Sequence, residues 1–354
     1  MSGKRIAVVG AGAIGGYTGG YMAHAGHDVT LIDPWPAHVE AIRRDGLELT
    51  GTTEAERLVV KVPALHITEL QGFAKQKPVD IAFVSVKSYD TEWATALIAQ
   101  YLAPDGYVVS LQNCINEPAV ARVVGWDKTV GGIAALLSAE LHAPGKIRRN
   151  AARGGGSGGH AVYRVGEVHG RMTARLEALA ELVAASDTVS ATNNLWGERW
   201  SKLCVNAMRN GISAATGLGG IARDEHDNLR RMAVELGGEA VRVGQKLGYE
   251  LEDIGNLPPE KLARAAEGDE KLYAEIDAAV KSGSAIRGRN ELQRPSMGQD
   301  MAKGRRTEID FINGLVVQRG QEIGHPTPVN VRLVDVVKRV ERGEIPARLA
   351  NLVN

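Results

Sequence analysis

Cysteine is almost missing from this chain, charge of neither sign prevails, and no long apolar run interrupts it. The two cysteines, Cys114 and Cys204, lie far apart and outside any metal-ligand spacing. That pattern excludes a disulfide framework or a cysteine-held zinc site, so both are expected to be free thiols and no metal is expected. Forty-two basic residues balance 42 acidic ones, giving a formal net charge of +0. No global field then favours nucleic acid or an anionic membrane, and any anion must be bound locally. No stretch reaches the ~18 consecutive apolar residues that a membrane-spanning helix needs. The opening MSGKRIAVVGAG runs from a polar tetrapeptide into a strand pattern without an apolar targeting region, so a cytoplasmic protein is expected. What is present suits two domains: 354 residues with 44% hydrophobic content bury a core in each.

Residues 5–9 form a short β-branched run, a glycine cluster follows, and 13–25 read as a helix before a second strand at 28–32. This is a βαβ unit. Further buried-strand patterns at 80–86, 107–111 and 129–136 alternate with helical stretches at 91–102 and 117–124, which implies a parallel sheet covered on both faces. Beyond about residue 188 the strand signal fades, and periodic helix is expected over 194–214, 225–247, 259–281, 305–319 and 328–342. The fold class expected is α/β, with an N-terminal Rossmann-type dinucleotide-binding domain over 1–188 and an all-helical substrate domain over 189–354.

Two segments match G-x-G-x-x-G, and context separates them. Gly10, Gly12 and Gly15 follow a strand and open a helix, the setting in which backbone amides meet a pyrophosphate at a helix N-terminus. Gly154, Gly156 and Gly159 match literally but follow RRNAAR and precede no helical pattern, so they read as a loop. The cofactor-binding turn is therefore Gly10, Gly12, Ala13, Ile14 and Gly15. Asp33 follows the second strand, where a carboxylate accepts hydrogen bonds from the adenosine ribose and repels a 2′-phosphate, favouring NAD(H) over NADP(H). The alternative is that Asp33-Pro34 simply ends the strand in a turn.

In WSKLCVNAMRNG, Lys202, Asn206 and Asn210 recur every four residues, so on a helix they present an ammonium and two amides to one space. Leu203, Val205 and Met208 take the other sides. The stripe reads either as a substrate-gripping face or as a solvated helix surface.

The segments VVGAGAIGG, SVKSYDT, LQNCIN, PGKI, WSKLCVNAMRNG, PSMGQDMAKGRRTEIDFING and GHPTPVN, in this order along nearly the whole chain, resemble the ketopantoate reductase (2-dehydropantoate 2-reductase) family. The resemblance implies a Rossmann domain followed by a helical domain with the active site in the cleft between them. It implies that Lys202 is the general acid that protonates the alkoxide as hydride reaches the carbonyl, with Glu308 orienting it or binding a ribose hydroxyl. Without the resemblance Glu308 reads as an exposed helix charge. Asn206, Asn210 and Ser296 match positions that hold the substrate's carboxylate and hydroxyl groups. Lys87 and Asn113, at the carboxyl edge of the sheet, would contact the cofactor ribose and the substrate.

The chain also departs from the family pattern. The family's usual cofactor is NADP(H), met by a basic residue where this chain has Asp33. Extra pocket asparagines of ketopantoate-specific members fall here on Gly220 and Gln293, and Cys114 stands where a glycine normally follows the family's asparagine. Segment 252–290 lengthens the chain as a lid or as an added helix. The expected function is reduction of the C2 carbonyl of a small 2-oxo acid, with 2-dehydropantoate to pantoate first among candidates. An NAD-dependent 2-hydroxy-acid or sugar-acid dehydrogenase on the same scaffold is the alternative, and a non-catalytic NAD(P)-sensing protein is a second. The partner expected is a small 2-oxo or 2-hydroxy acid, with neither nucleic acid nor membrane; a homodimer is compatible with the sequence.

Overall fold

Period-two alternation along Arg5–Val9 (β1) sends Ile6 and Val8 into one core and Ala7 and Val9 into another. A strand buried on both faces in this way needs cover on both sides, and the elements that follow supply it. In chain order they are Ala13–His24 (α1), Asp28–Asp33 (β2), Pro36–Asp45 (α2), Leu47–Thr50 (β3), Leu58–Val60 (β4), Ala64–His66 (β5), Val79–Val84 (β6), Thr91–Ala99 (α3), Leu102–Leu111 (β7) and Glu117–Val124 (α4). Thr129–Ala134 (β8), Ala139–Ala143 (β9), Lys146–Arg149 (β10), Tyr163–Glu167 (β11), Ala174–Val183 (α5) and Val189–Thr192 (β12) complete the first unit. The computed structural model describes residues 3–154, 160–285 and 294–353. Gly156, Gly159 and Gln293 lie outside the described residues.

The strands form an eight-stranded sheet in the order β12-β11-β8-β7-β6-β1-β2-β5 and a four-stranded sheet in the order β4-β3-β10-β9. Strands β5 through β8 of the large sheet pair in parallel, as expected, but β11 runs antiparallel to β8. One core, with Ala94, Ile98 and Val120, lies under α3 and α4. The other joins α1 and α5 to Leu47, Leu49 and Ile147 of the small sheet.

Helix α1 lies between the two sheets, and its glycines permit the approach. A Cβ at Gly19 would stand 2.7 Å from Leu31 Cδ2, on the large sheet. On the other side a Cβ at Gly16 would stand 2.6 Å from Ile147 Cδ1, and one at Gly20 2.9 Å from Leu47 Cδ2. The small sheet is tied in by Arg149, whose guanidinium pairs with Asp187, donates to the Tyr17 hydroxyl of α1 (3.2 Å) and to the Ala152 carbonyl (2.8 Å). Asp187 also accepts from the Gly154 amide at 3.0 Å. Burial pushes the nearby Tyr163 hydroxyl up to about 12, so it stays neutral in its 2.9 Å hydrogen bond with Thr18.

The described residues separate into two compact units, Met1–Leu195 and Trp196–Asn354. The boundary therefore lies later than 188, because residues 189–192 form β12 and pair with β11. The second unit is helical: Leu195–Ala207 (α6, which begins at the boundary), Asn210–Thr216 (α7), Gly220–Glu225 (α8), Asp227–Lys246 (α9), Pro259–Ala266 (α10), Glu270–Ala285 (α11), Ser296–Ala302 (α12), Asn313–Glu322 (α13) and Pro328–Glu341 (α14). Three expected helices are corrected. The helix expected over 194–214 breaks at Met208–Arg209, that over 259–281 breaks at 267–269, and that over 305–319 starts only at Asn313. In segment 252–290 the described part carries α10 and α11, with Leu262 and Ala263 wholly buried, and a Cβ added at Gly238 on α9 would stand 2.2 Å from Ala266 Cβ. Among the described residues no helix is long and apolar enough to cross a membrane. Cys114 and Cys204 are both buried, and neither forms a disulfide among the described residues.

Both side chains of the Arg149–Asp187 pair are almost fully buried, at 1% and 2% exposure. Removing one partner leaves an uncompensated charge, so Asp187→Ala is expected to cost about 3–5 kcal/mol in urea denaturation.

Candidate functional site

In the first unit the chain turns sharply after β1. Gly10 takes φ +93°, which a side chain disfavours, and a Cβ there would meet Val86 N at 2.8 Å. A Cβ at Gly15 would lie 2.2 Å from the Gly10 carbonyl oxygen. Gly12 differs: nothing lies within 4 Å of where its Cβ would stand. Gly12 precedes α1 without a side-chain cap, and no acidic residue occupies the first turn. The positive dipole end of the helix is therefore left without a side-chain cap beside an open position, an arrangement that could hold an anion such as a pyrophosphate. Ala13 and Ile14 are the first two helical residues.

The turn sits where the strand order reverses, since β1 has β2 on one side and β6 on the other. Ser85 follows β6, and its hydroxyl is buried without a hydrogen-bond partner. Half-buried Lys87 and Asn113 occupy the loops after β6 and β7. Two amides stitch those loops together. Gln112 Nε2 donates to the Val86 carbonyl (2.8 Å) and the Thr91 hydroxyl (2.9 Å), and Asn116 Nδ2 donates to the Asn113 carbonyl (2.7 Å) and the Ser88 hydroxyl (3.2 Å). Sequence reasoning passed over Ser85, Gln112 and Asn116. Three amides within five positions of LQNCIN were the available signal.

Asp33 closes β2, only 9% exposed, and accepts a hydrogen bond from the Trp35 amide at 2.9 Å. The carboxylate thus shapes the strand-to-helix corner. Cys114 takes φ +66°, the left-handed conformation that glycine adopts most readily.

In the second unit, Lys202 and Asn206 lie one turn apart on α6, with Lys202 half-buried and Asn206 8% exposed. Asn210, 6% exposed, opens α7 and donates to the Ser296 hydroxyl at 3.3 Å. The stripe is therefore no solvated surface, although a continuous helix does not carry it. At the break Arg209 N bonds to the Asn206 carbonyl (3.1 Å), three residues back. Asn313, wholly buried, donates to the Ala207 carbonyl (3.1 Å) and to Asn330 Oδ1 (2.8 Å), while Asn330 Nδ2 donates to Glu239 (2.7 Å). A chain of polar groups thus satisfies the end of α6. Asn206 Nδ2 is buried with no hydrogen-bond partner. Glu308 is 2% exposed and precedes a short turn at Ile309–Phe311, which replaces the exposed-charge reading. Gly220 is buried as the first residue of α8.

A glycine turn at the switch point of a parallel sheet, opening an uncapped helix, places the first unit in the class of Rossmann-type domains. The sequence matches the family described as "Ketopantoate reductase PanE/ApbA" over residues 6–157 and its C-terminal region over 194–341. A 2-dehydropantoate 2-reductase of Archaeoglobus fulgidus is 30% identical over 352 residues, covering 96% of this chain and 99% of the relative. A solved PanE/ApbA family ketopantoate reductase from Ralstonia eutropha JMP134 superposes with a TM-score of 0.76 at 28% identity, covering 96% of this chain and 99% of that one. A D-mandelate dehydrogenase, solved with NADH and anilino(oxo)acetate, shares the fold with a TM-score of 0.77 at 24% identity, over 96% and 99% of the two chains. The chain belongs to the ketopantoate reductase family. It is thereby a nicotinamide-dependent oxidoreductase acting on CH–OH groups.

Two substitutions separate the roles of the glycines. Gly12→Val is expected to leave the melting temperature near wild type and weaken dinucleotide binding at least tenfold by calorimetry, whereas Gly15→Val should destabilise the fold itself, by about 1–3 kcal/mol or more. At Cys114, β-branched Val is expected to cost about 2 kcal/mol or more and Gly to stay within about 1 kcal/mol of wild type in denaturant titrations. A site governed by packing alone would give the reverse order.

Proposed function

We propose that this protein reversibly reduces the C2 carbonyl of a small 2-oxo acid, with 2-dehydropantoate the first substrate to test and NAD(H) the preferred cofactor. The observation that carries the substrate reading is the buried, unpartnered Nδ2 of Asn206, one helical turn from Lys202. A buried donor left unmade costs about 1–3 kcal/mol, a cost that a substrate carboxylate oxygen would remove. Asn210 and Ser296 add neutral donors beside it, so an acid is held without burying another charge.

The nicotinamide, when bound, supplies hydride to the carbonyl carbon. The turn from Gly10 to Gly15 would hold the pyrophosphate, and Asp33 the adenosine ribose; Lys87, Asn113 and Glu308 are the further cofactor-binding residues of this reading. Lys202 places a cation beside the carbonyl oxygen, stabilises the charge that develops there and gives it a proton. Glu308 is the carboxylate that would orient the lysine or meet a ribose hydroxyl, and its burial supports a role inside the protein. Asn113 would also touch the substrate.

Asp33 is also the specific observation behind a second reading, an NAD-dependent 2-hydroxy-acid dehydrogenase working in the oxidative direction. A buried carboxylate at the end of β2 disfavours a 2′-phosphate, and Gly220 offers no side chain where pantoate-forming members carry an asparagine. NADH and NADPH oxidation should be measured with ketopantoate, pyruvate, branched, aromatic and sugar-derived 2-oxo acids, and NAD reduction with the matching hydroxy acids. Reduction of ketopantoate with NADH supports the proposal; preference for another hydroxy acid supports the second reading. Binding of NADH with no turnover on any acid would sink both. Lys202→Ala is expected to lower turnover by at least ~100-fold with cofactor affinity largely intact.

A further inference from the structure

His38 is wholly buried on α2, and no site reading of the sequence includes it. Its Nε2 lies 2.8 Å from the Ala11 carbonyl oxygen, and its Nδ1 accepts from the Gly145 amide at 2.9 Å. A backbone N–H can only donate. Nδ1 therefore carries the lone pair and Nε2 the hydrogen, so the ring is a neutral bridge of fixed tautomer.

The bridge ends on the peptide joining Ala11 to Gly12. In a trans peptide the carbonyl and the N–H point in opposite directions. Holding the Ala11 carbonyl against His38 therefore aims the Gly12 N–H away from the ring, at a residue whose would-be Cβ position has nothing within 4 Å. Gly145 takes φ +71°, and a Cβ there would stand 3.1 Å from Ala41 Cβ on α2. A bare backbone at position 145 thus lets the turn between β9 and β10 reach the ring. Trp35 stacks on the ring at 5.8 Å between centroids, and its amide is the one bonded to Asp33. One corner of the chain consequently sets both the glycine turn and the acidic residue beside it.

We propose that His38 is a positioning residue for the dinucleotide: its Nε2–H fixes the Ala11–Gly12 peptide so that the Gly12 amide presents itself to a pyrophosphate oxygen. The inference rests on the reading that this turn holds the cofactor's phosphates. It also gives the small sheet a function, since Gly145 fixes the tautomer.

The test uses the full chain and whichever of NADH or NADPH wild-type protein binds more tightly. His38→Leu is expected to raise the dissociation constant about tenfold while kcat at saturating cofactor stays within about twofold. His38→Gln, whose amide can donate to Ala11 and accept from Gly145, should recover most of the affinity. Nitrogen-15 spectra of imidazole-labelled wild-type protein should show a protonated Nε2 and an unprotonated Nδ1, a readout that does not depend on either variant folding. An unchanged dissociation constant in folded His38→Leu, or the opposite tautomer, would overturn the proposal. Wild-type protein that binds neither cofactor would instead overturn the functional reading beneath it.

Discussion

The first unit is organised by one steric constraint, the passage of α1 between two sheets. Gly16 and Gly20 face the small sheet and Gly19 the large one, each at a spacing that excludes even a methyl group. Glycine within a helix costs about 1 kcal/mol relative to alanine, so three of them weaken the isolated helix by roughly 3 kcal/mol. Tertiary contact offsets that penalty. Tyr17, Tyr21 and Met22 fill the remaining faces of the helix, and Arg149 clamps Tyr17 from the small sheet. The glycine turn inherits its position from this arrangement, because α1 starts where the turn ends.

The second unit rests on a different device. A break in a helix exposes carbonyls that need donors, and here the donor is the buried amide of Asn313, 106 residues further along the chain. Asn330 and Glu239 hold that amide in turn, with Glu239 also accepting the Val329 and Asn330 backbone N–H groups at the start of α14 (2.9 and 3.0 Å). The path from Glu239 to Ala207 thus satisfies the carbonyl at the point where α6 stops, three residues before Asn210 opens α7. FING and GHPTPVN contribute architecture through these asparagines, whereas WSKLCVNAMRNG contributes the polar groups that the architecture presents.

Local signals in the sequence were readable where a single segment determines the outcome. The glycine turn, β1, β2 and the i, i+4 relation of Lys202 to Asn206 all belong to this kind. The small sheet was not readable, because its strands are three to five residues long and β3 pairs in parallel with β10 from a distant part of the chain. The interruption after Ala207 was equally hidden: Met208 and Arg209 carry no proline or glycine, and the donor that meets the Ala207 carbonyl is Asn313. Residues beyond 188 read as helix throughout because Val189–Thr192 is too short to show a period of its own. His38 was invisible for another reason. It occupies an ordinary buried position of an amphipathic helix, and only its two hydrogen-bond partners distinguish it from a core residue.

The orphaned amide of Asn206 places the protein at a compromise between folding and recognition. An apolar side chain of similar size at that position would remove a buried polar group that lacks a partner, and the chain would gain stability by doing so. Such a chain would lose the donor that the proposed function assigns to a substrate carboxylate. Position 206 is therefore where the folded state carries a hydrogen bond left unmade, at a cost of about 1–3 kcal/mol.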